Sequence, residues 1–416
     1  MNKFWKSSIA LLLCLVLALG GSVVQAAEKA PEWMYEIESG EKVDKLIKED
    51  EEAWAPVGPV PAEAAALEVG GKSAVLMDVA GGNILFEKNS HEKLPIASVT
   101  KIMTLLLVME AIENGMITYD DNVTCSSTAA SMGGSQIWLE EGEVMTVREL
   151  LKAAAVVSAN DACAALAEYV SGSIEGFVAQ MNARAAELGM NDTKFLDCSG
   201  LSDDAYSSAH DVALMSRALI QHKDITQFTT IWMDTLRDGK SQLVNTNKLV
   251  RHYAGATGLK TGTTQKAGHC LSATAERSGM GMIAVILGCT TTDERFGGAR
   301  KMLDYGFANY AVYTPEVDPA QLRPVKVLHG LTAEVETLLD PPQPLLIRKG
   351  QEKNVTTTME LAEDVEAPVI KGQLLGQLRL MLDGKQVAEY PIRAAEEVPR
   401  MTFSAALGQL LRALLA

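Results

Sequence analysis

Residues 95–104 read Pro-Ile-Ala-Ser-Val-Thr-Lys-Ile-Met-Thr and open an apolar stretch that continues to Asn114. Apolar residues lie on nearly every side of a helical wheel drawn through this stretch, which predicts a buried helix over Ser98–Asn114. Ser98 and Lys101 share one face of that helix, so the amine can reach the hydroxyl. The first turn of a helix also has free backbone N–H groups, which suit the binding of an oxyanion.

A Ser-x-x-Lys spacing is by itself weak evidence for a nucleophile and its base, because it also arises by chance. Ser39–Lys42 and Ser90–Lys93 have the same spacing. The first pair lies in an acidic segment that we expect to be flexible. The second pair is followed by Pro95, which disfavours continuation of a helix. Only Ser98 opens a long apolar helix, so Ser98 is the candidate nucleophile.

A second candidate segment, Ser158-Ala159-Asn160, lies at the junction of two predicted helices, Val147–Val157 and Asp161–Val170. Its hydroxyl and amide groups could serve a site at this junction. Taken alone, however, the segment is best interpreted as a helix cap, because Ser and Asn both favour that position.

A third candidate segment, Lys260-Thr261-Gly262-Thr263, lies just before a predicted strand over His269–Glu276. Its lysine and threonine offer a cation and a hydroxyl for a carboxylate, and Gly262 allows close approach of a ligand to the backbone. The alternative is a tight loop that carries a surface lysine.

Hairpins at both ends of a helical region predict a mixed α/β domain over residues 63–314. The first hairpin pairs Ser73–Asp78 with Ile84–Glu87, and the last pairs His269–Glu276 with Gly281–Cys289. Further helices are predicted between them, over Val147–Val157, Asp161–Val170, Ile174–Leu188 and Ala209–Ile220.

A smaller β-rich domain is predicted over residues 315–396, where short strand-like runs replace the helical pattern. Asp383-Gly384 is a strong signal for a hairpin turn within it. The runs are Val325–Leu328, Leu345–Arg348, Asn354–Leu361 and Leu378–Ile392.

The last segment, residues 397–416, is predicted to contain an amphipathic helix over Met401–Ala416. Gln409 and Arg412 lie on its polar face. This helix is too short to cross a bilayer upright, so we expect it to lie in the membrane interface. The alternative is a helix docked on the body of the protein. The apolar face is formed by Phe403, Leu407, Leu410, Leu411 and Leu414.

The N-terminal region has the pattern of a secretory signal peptide over residues 1–26, with Lys3 and Lys6 before an apolar run and small residues at Val24 and Ala26. A membrane-spanning helix fits less well, because the apolar run is short. Residues 27–62 follow as an acidic, proline-containing arm that we expect to be flexible. The sequence thus predicts that the protein is exported.

Composition and charge exclude several classes of function. The 416 residues are 47% apolar and 22% charged, which fits a globular protein. A formal net charge of −16 argues against a nucleic-acid partner. The cysteines beyond the signal peptide are widely spaced and odd in number, so they do not form a disulfide framework, although one disulfide remains possible. They are Cys125, Cys163, Cys198, Cys270 and Cys289.

The three candidate segments occur in the order Ser-x-x-Lys, Ser-x-Asn, Lys-Thr-Gly, which is the motif set of the penicillin-recognising serine enzymes. The chain resembles the low-molecular-weight penicillin-binding proteins that are serine-type D-alanyl-D-alanine carboxypeptidases. The resemblance runs from about residue 64 to the end of the chain. It is carried by residues 95–104, 188–195, 257–262, 267–268 and 303–307.

The resemblance implies a transpeptidase-like α/β domain, an antiparallel sheet with a helical cluster, followed by a small β-rich domain. It also implies that Ser98 attacks the peptide bond between the last two D-alanines of a peptidoglycan stem peptide, with Lys101 as its base. The further roles that it implies are proton relay by Ser158, orientation by Asn160, and substrate binding by Lys260, Thr261, Gly262, Thr263 and Arg295.

The same resemblance implies that β-lactam antibiotics acylate Ser98, and that neither a metal nor a cofactor takes part. Two alternatives within the superfamily are a β-lactamase and a D,D-endopeptidase. A third, of a different class, is a catalytically silent wall-binding homologue. The second β domain counts against a β-lactamase, and the intact motif residues count against a silent protein.

Overall fold

The computed structural model describes residues 63–318 and 321–415, so the predicted signal peptide (1–26) and acidic arm (27–62) lie outside the described residues. Within them the α-helices are α1 (Lys101–Glu113), α2 (Ser127–Ala130), α3 (Val147–Val156), α4 (Asn160–Ser171), α5 (Ile174–Glu187), α6 (Ala209–Gln221), α7 (Thr226–Thr229), α8 (Leu249–His252), α9 (Thr292–Asn309) and α10 (Phe403–Leu415).

The strands up to residue 313 are β1 (Ser73–Asp78), β2 (Ile84–Lys88), β3 (Asn122–Thr124), β4 (Val144–Thr146), β5 (Met233–Leu236), β6 (Ser241–Val244), β7 (Ala256–Thr264), β8 (Gly268–Arg277), β9 (Met280–Cys289) and β10 (Tyr310–Tyr313). Those that follow are β11 (Val325–Leu328), β12 (Glu334–Val335), β13 (Thr337–Leu339), β14 (Leu345–Arg348), β15 (Val355–Leu361), β16 (Asp364–Glu366), β17 (Leu374–Leu382) and β18 (Lys385–Ala394).

A five-stranded antiparallel sheet in the order β2-β1-β9-β8-β7 organises the larger domain. Both faces of this sheet are covered. In β1, Val75 and Met77 pack into one apolar cluster together with α1, α3, α4 and α6. Ala74 and Leu76 point to the other face and join a second cluster that includes residues of α9. Burial on both faces explains why β1 and β9 are mainly apolar runs without polar alternation.

Helix α1 runs through the larger apolar cluster, with residues 101–109 all buried. The sequence predicted this buried helix, but placed its start at Ser98. In the structure a 3-10 turn over Ala97–Thr100 precedes the helix, which begins at Lys101. Gly115 follows the helix in the left-handed conformation, as expected of a helix terminator.

The predicted antiparallel sheet with its helical cluster is confirmed, and the predicted helices and hairpins are displaced by at most a few residues. Two elements that matter for the site were not predicted. Strand β7 contains the whole Lys260–Thr263 segment, and α9 begins with an N-cap bond from the Glu294 N–H to the Thr291 side chain. Its polar composition hides α9 from an apolar-periodicity search.

The smaller β-rich part contains a four-stranded antiparallel sheet, β13-β18-β17-β15, and a three-stranded sheet, β12-β11-β16. It has its own apolar cluster, centred on residues such as Val335 and Val398. Strand β14 does not join these sheets. It pairs antiparallel with β10 at the end of the larger domain, and Leu346 packs against that domain's second cluster.

Helix α10 ends the described part of the chain and leaves apolar side chains in solvent. The exposed fractions are 85% for Phe403, 45% for Leu407 and 51% for Leu411. Within residues 63–318 and 321–415, no helix combines the length and the apolar character needed to cross a membrane.

Candidate active site

The 3-10 turn that precedes α1 brings Ser98 and Lys101 together. Lys101 Nζ lies 2.9 Å from Ser98 Oγ. Residues three apart eclipse one another in a 3-10 turn, so the turn aligns the two side chains more closely than an α-helix would. Ala97, immediately before the serine, has a positive φ of 47°, which turns the chain sharply into Ser98.

The Lys101 amine is fully buried and makes three polar contacts. Besides Ser98 Oγ, it donates to Asn160 Oδ1 at 2.6 Å and to the Ser199 carbonyl at 2.7 Å. Burial lowers the pKa of this amine, because desolvation outweighs the favourable negative charges nearby. A buried lysine with a lowered pKa, in contact with a hydroxyl, has the properties of a general base.

The Ser158–Asn160 segment joins α3 to α4 and faces Lys101. The interpretation of this segment as a helix cap is wrong, because the N-cap of α4 is Ala159 and no side chain caps it. Asn160 instead accepts from Lys101 and donates from Nδ2 to the Gly133 carbonyl at 2.6 Å. Ser158 has a positive φ of 65°, and its buried Oγ has no hydrogen-bond partner among the described residues.

Lys260 to Thr263 lie in β7, the outermost strand of the five-stranded sheet. The alternative of a tight loop with a surface lysine is therefore wrong. Lys260 is buried, and its Nζ donates to the Thr261 carbonyl at 3.1 Å. Burial holds the pKa of Lys260 well below its ordinary value, and the charges of Lys101 and Arg295 lower it further. Thr261 donates its hydroxyl to Thr246 Oγ1 at 2.7 Å.

Gly262 is required by the packing of β7 against the 3-10 turn over Ala97–Thr100, called here the nucleophile turn after the candidate role of Ser98. A Cβ atom at this position would lie 2.5 Å from the Ile96 carbonyl oxygen, 3.0 Å from Val99 N and 3.1 Å from Ser98 N. The structure gives a further reason for a glycine here, and the sequence interpretation, in which the missing side chain makes room for a ligand, stays a prediction. The close approach is between two backbone segments of the protein itself.

Arg295 projects from the first turn of α9 toward β7. Its Nη1 lies 3.2 Å from Thr263 Oγ1 and 3.4 Å from the Gly262 carbonyl. The guanidinium is buried, which lowers its pKa to about 10, and its Nε has no partner among the described residues. Arg295 thus lies beside the Lys-Thr-Gly segment, where the sequence placed it.

The site therefore combines several hydroxyls, two buried amines and a buried guanidinium. Ser98, Lys101 and Asn160 are joined by direct hydrogen bonds, whereas the Lys260 amine bonds to the Thr261 carbonyl instead. In a protein with a net charge of −16, this local excess of positive charge favours an anionic ligand.

Two acidic residues that support the site escaped the sequence analysis. Asp161, in the first turn of α4, accepts backbone N–H bonds from Ile137 and Leu139 and fixes the loop beside Asn160. Asp197 organises the turn that carries the Ser199 carbonyl. Both lie next to recognisable signals, Ser-x-Asn and Ser-Gly, but their partners are backbone groups that no sequence pattern reveals.

Comparison with known proteins agrees with this geometry. The family model described as D-alanyl-D-alanine carboxypeptidase matches residues 60–291, and the model of the C-terminal domain of penicillin-binding protein 5 matches residues 318–400. The chain is 44% identical over 337 residues to D-alanyl-D-alanine carboxypeptidase DacF of Bacillus subtilis, covering 80% of this chain and 87% of DacF. It is 35% identical to DacC of Escherichia coli, over 79% of this chain and 84% of that protein.

Solved structures give the same result. Penicillin-binding protein 5 from Haemophilus influenzae superposes with a TM-score of 0.72 at 30% identity, over 82% of this chain and 100% of that one. Penicillin-binding protein D2 from Listeria monocytogenes, in a cefotaxime-bound form, superposes with a TM-score of 0.54 at 34% identity, over 58% of this chain and 98% of that one. The chain belongs to the serine D-alanyl-D-alanine carboxypeptidase family.

Proposed function

We propose that Ser98 is the nucleophile of this carboxypeptidase and that Lys101 is its base. The observation that carries the proposal is the 2.9 Å contact between the fully buried Lys101 Nζ and Oγ of the partly exposed Ser98. A serine hydroxyl is a poor nucleophile at neutral pH unless a neighbouring base takes its proton.

The other two partners of Lys101 determine how the amine works. The Asn160 side-chain oxygen and the Ser199 carbonyl are acceptors only. A neutral amine has two N–H groups, which these acceptors use, and one lone pair, which is left for the Ser98 hydroxyl proton. The lowered pKa of Lys101 favours this neutral form.

Ser158 and Lys260 are proposed to serve the leaving group. When the peptide bond between the two D-alanines breaks, the departing nitrogen must gain the proton that Ser98 lost. The unpartnered, buried Ser158 hydroxyl can both accept and donate a proton. It is the proposed relay from Lys101 to the D-alanine amine, while the Lys260 charge helps to keep Lys101 neutral.

The substrate carboxylate is proposed to bind at the end of β7. Thr261 and Thr263 offer hydroxyls, and Lys260 and Arg295 supply buried positive charge, which suits the free carboxylate of the terminal D-alanine. The backbone N–H groups of Ser98 and Thr263 are the proposed oxyanion hole, where each donor contributes on the order of 3 kcal/mol.

The reaction then proceeds in two balanced steps. Ser98 Oγ forms an ester with the penultimate D-alanine carbonyl as the terminal D-alanine leaves with the relayed proton. A water molecule, deprotonated by the same amine, hydrolyses the ester and restores Ser98. The Listeria protein is known in cefotaxime- and ampicillin-bound forms. We propose that β-lactams likewise acylate Ser98 of this chain.

The test is release of D-alanine from a stem pentapeptide, together with labelling by a fluorescent penicillin. Both activities should be lost in Ser98→Ala. Ser90→Ala is the matched control, because Ser90 also precedes a lysine by three positions but donates its hydroxyl to Glu87 Oε2 at 2.6 Å. Labelling that persists in Ser98→Ala would show that the nucleophile is misassigned. Rapid β-lactam hydrolysis without D-alanine release would favour the β-lactamase alternative.

We also propose that the protein is exported and held at the outer face of the membrane by α10. The support is the exposure of Phe403, Leu407 and Leu411, which a helix docked on the protein would bury. Leu407→Glu with Leu411→Glu should abolish binding to anionic phospholipid vesicles, whereas Ser404→Glu should have little effect. Equal binding by all three proteins would contradict the proposal.

A further inference from the structure

Asp197 makes an unusual set of bonds beside the active site. Its Oδ1 accepts the backbone N–H groups of Ser199 at 2.7 Å and Leu201 at 3.3 Å, and also that of Gly200. Its Oδ2 accepts the Ser202 N–H at 2.7 Å. One carboxylate therefore fixes four consecutive peptide groups, and these bonds hold its pKa below the ordinary value although burial opposes the shift.

The turn that Asp197 fixes contacts both the base and the nucleophile. The Ser199 carbonyl accepts from Lys101 Nζ at 2.7 Å. Gly200 has a positive φ of 85° and lies so close to the nucleophile turn that a Cβ atom there would clash with Ala97. Between Asp197 and Ser199, the buried Cys198 carbonyl accepts the hydroxyl of Thr104 in α1 at 2.6 Å.

We propose that Asp197 is a positioning residue for the Lys101 base, acting through the Ser199–Ser202 turn that presents the Ser199 carbonyl to Lys101 Nζ. The inference rests on the proposed role of Lys101. If the turn moves, the amine loses one of its two acceptors and its lone pair no longer points at Ser98 Oγ. A displacement of about 1 Å at such a contact costs roughly 100-fold in rate.

Asp197 also acts on Lys101 through its charge. The groups that face this amine are the Cys163 and Cys198 thiols and the carboxylates of Asp197 and Asp161, with the Lys260 ammonium opposing them. A nearby negative charge stabilises the ammonium form and raises the pKa of Lys101. Removing the charge of Asp197 should therefore extend the activity of the neutral amine to lower pH.

Two substitutions separate the charge from the geometry. Asp197→Asn removes the charge but keeps an oxygen for the Ser199, Gly200 and Leu201 N–H groups, losing only the bond from Ser202. Asp197→Ala removes both. The matched controls are Asp211→Asn and Asp211→Ala. Asp211 is also a buried carboxylate and accepts the Asp192 N–H at 2.7 Å and the Thr193 hydroxyl at 2.8 Å, but it is not among the groups that face Lys101.

The measurement is the second-order rate of acylation by a fluorescent penicillin from pH 5 to 10, on full-length protein whose label has first been mapped to Ser98. We expect the pH at which the acylation rate falls off on the acid side to be lower for Asp197→Asn than for the wild-type protein, by about half a pH unit or more. We expect acylation by Asp197→Ala to fall about 10- to 100-fold. The Asp211 variants should lower the melting temperature but keep the wild-type profile.

The proposal is wrong if Asp197→Asn keeps the wild-type acid limb, or if Asp197→Ala loses no more acylation rate than Asp211→Ala at equal loss of melting temperature. Mapping of the label in the wild-type protein to a residue other than Ser98 would overturn the proposed function itself. That result is distinguishable, because it precedes any comparison of variants.

Discussion

At the scale of single residues, the site keeps two lysines buried that solvation would favour on the surface. Lys101 has three hydrogen-bond partners in compensation, whereas within the described residues the Lys260 amine bonds only to the Thr261 carbonyl. Burying a cation with few partners costs free energy. Catalytic sites commonly retain such groups at the expense of stability.

Lys260→Met should therefore stabilise the protein at neutral pH, by about 1–2 kcal/mol, while abolishing D-alanine release. The folded protein binds fewer protons at this lysine than the unfolded chain does, because burial lowers its folded pKa. The destabilisation caused by the buried ammonium is therefore fully present below the pKa of Lys260 in the folded protein. It is lost as the pH rises toward the pKa of this lysine in the unfolded chain, about 10.4.

The advantage of Lys260→Met in melting temperature should accordingly shrink between pH 7 and pH 10. Lys266→Met is the control, because Lys266 is 52% exposed in its ion pair with Asp204, and it should show no such trend. An unchanged difference across this range would contradict the stated burial cost.

Gly262→Ala tests the contact between β7 and the nucleophile turn. Because the added methyl would meet backbone atoms of Ile96 and Val99, the strand has to move away from Ser98. We expect a loss of about 1–3 kcal/mol in stability and about 100-fold in acylation rate.

The control for this substitution is Gly297→Ala in α9, where an added Cβ would have no neighbour within 4 Å. It should retain full acylation and gain up to about 1 kcal/mol, since alanine is the better helix former. Equal acylation rates for the two variants would show that the close approach is not essential.

At the scale of elements, a carboxylate at the start of α4 accepts hydrogen bonds from backbone N–H groups and so fixes the loop beside the site. Asp161 is fully buried, and it accepts from Ile137 N, Leu139 N and Ala162 N at 3.1, 3.0 and 2.9 Å. The loop that it fixes contains Trp138 in a left-handed conformation, with a φ of 59°. A strained residue held by buried bonds persists only while those bonds are made.

Asp161→Ala should lower the free energy of unfolding by about 3–5 kcal/mol, because each orphaned buried donor costs roughly 1–3 kcal/mol. Urea denaturation provides the measurement. Asp121→Ala removes a comparable turn contact, to Thr118, but at an exposed position, and it should cost about 1 kcal/mol or less. Similar midpoints for the two variants would refute this account.

The same elements show how far sequence reasoning extends. The apolar run after Lys101 predicted α1, and the paired runs predicted β8 with β9, because burial on all sides leaves a direct trace in composition. Strand β7 was missed because Lys260, Thr261 and Gly262 interrupt the apolar pattern by which a buried strand is recognised. The bonds of Asp161 and Asp197 to backbone groups depend on tertiary contact, so only the structure reveals them.

At the scale of the whole molecule, β14 links the two parts of the chain. It follows the first strands of the β-rich part, yet it pairs with β10, and Lys349 donates to the Phe307 carbonyl at 2.7 Å. The sequence predicted a domain boundary between residues 314 and 315. Because β14 follows that boundary in sequence but pairs with β10, which precedes it, a single boundary does not describe this strand. Motif order, in contrast, predicted the family because each motif belongs to the larger domain.

A chain that ends at residue 314 should still be acylated at Ser98, because the site residues all lie between residues 98 and 295. Its melting temperature should be lower by about 2–4 °C for each kcal/mol that the lost β10–β14 pairing contributed, which is the range expected for a domain of this size. A chain that ends at residue 402 keeps the bond from the Met401 N–H to the His329 carbonyl, lacks only α10 and should melt with the full-length protein. Equal melting of all three chains would show that β14 contributes nothing to the larger domain.

The five cysteines of the described residues are all free and all buried. Burial raises the pKa of Cys163 and of Cys270 to about 11, so almost no reactive thiolate is present in the native protein at neutral pH. Oxidants and alkylating reagents can therefore modify these thiols only after the molecule opens. The extent to which a brief pulse of iodoacetamide alkylates these five thiols would therefore measure how often the molecule opens, without an engineered probe.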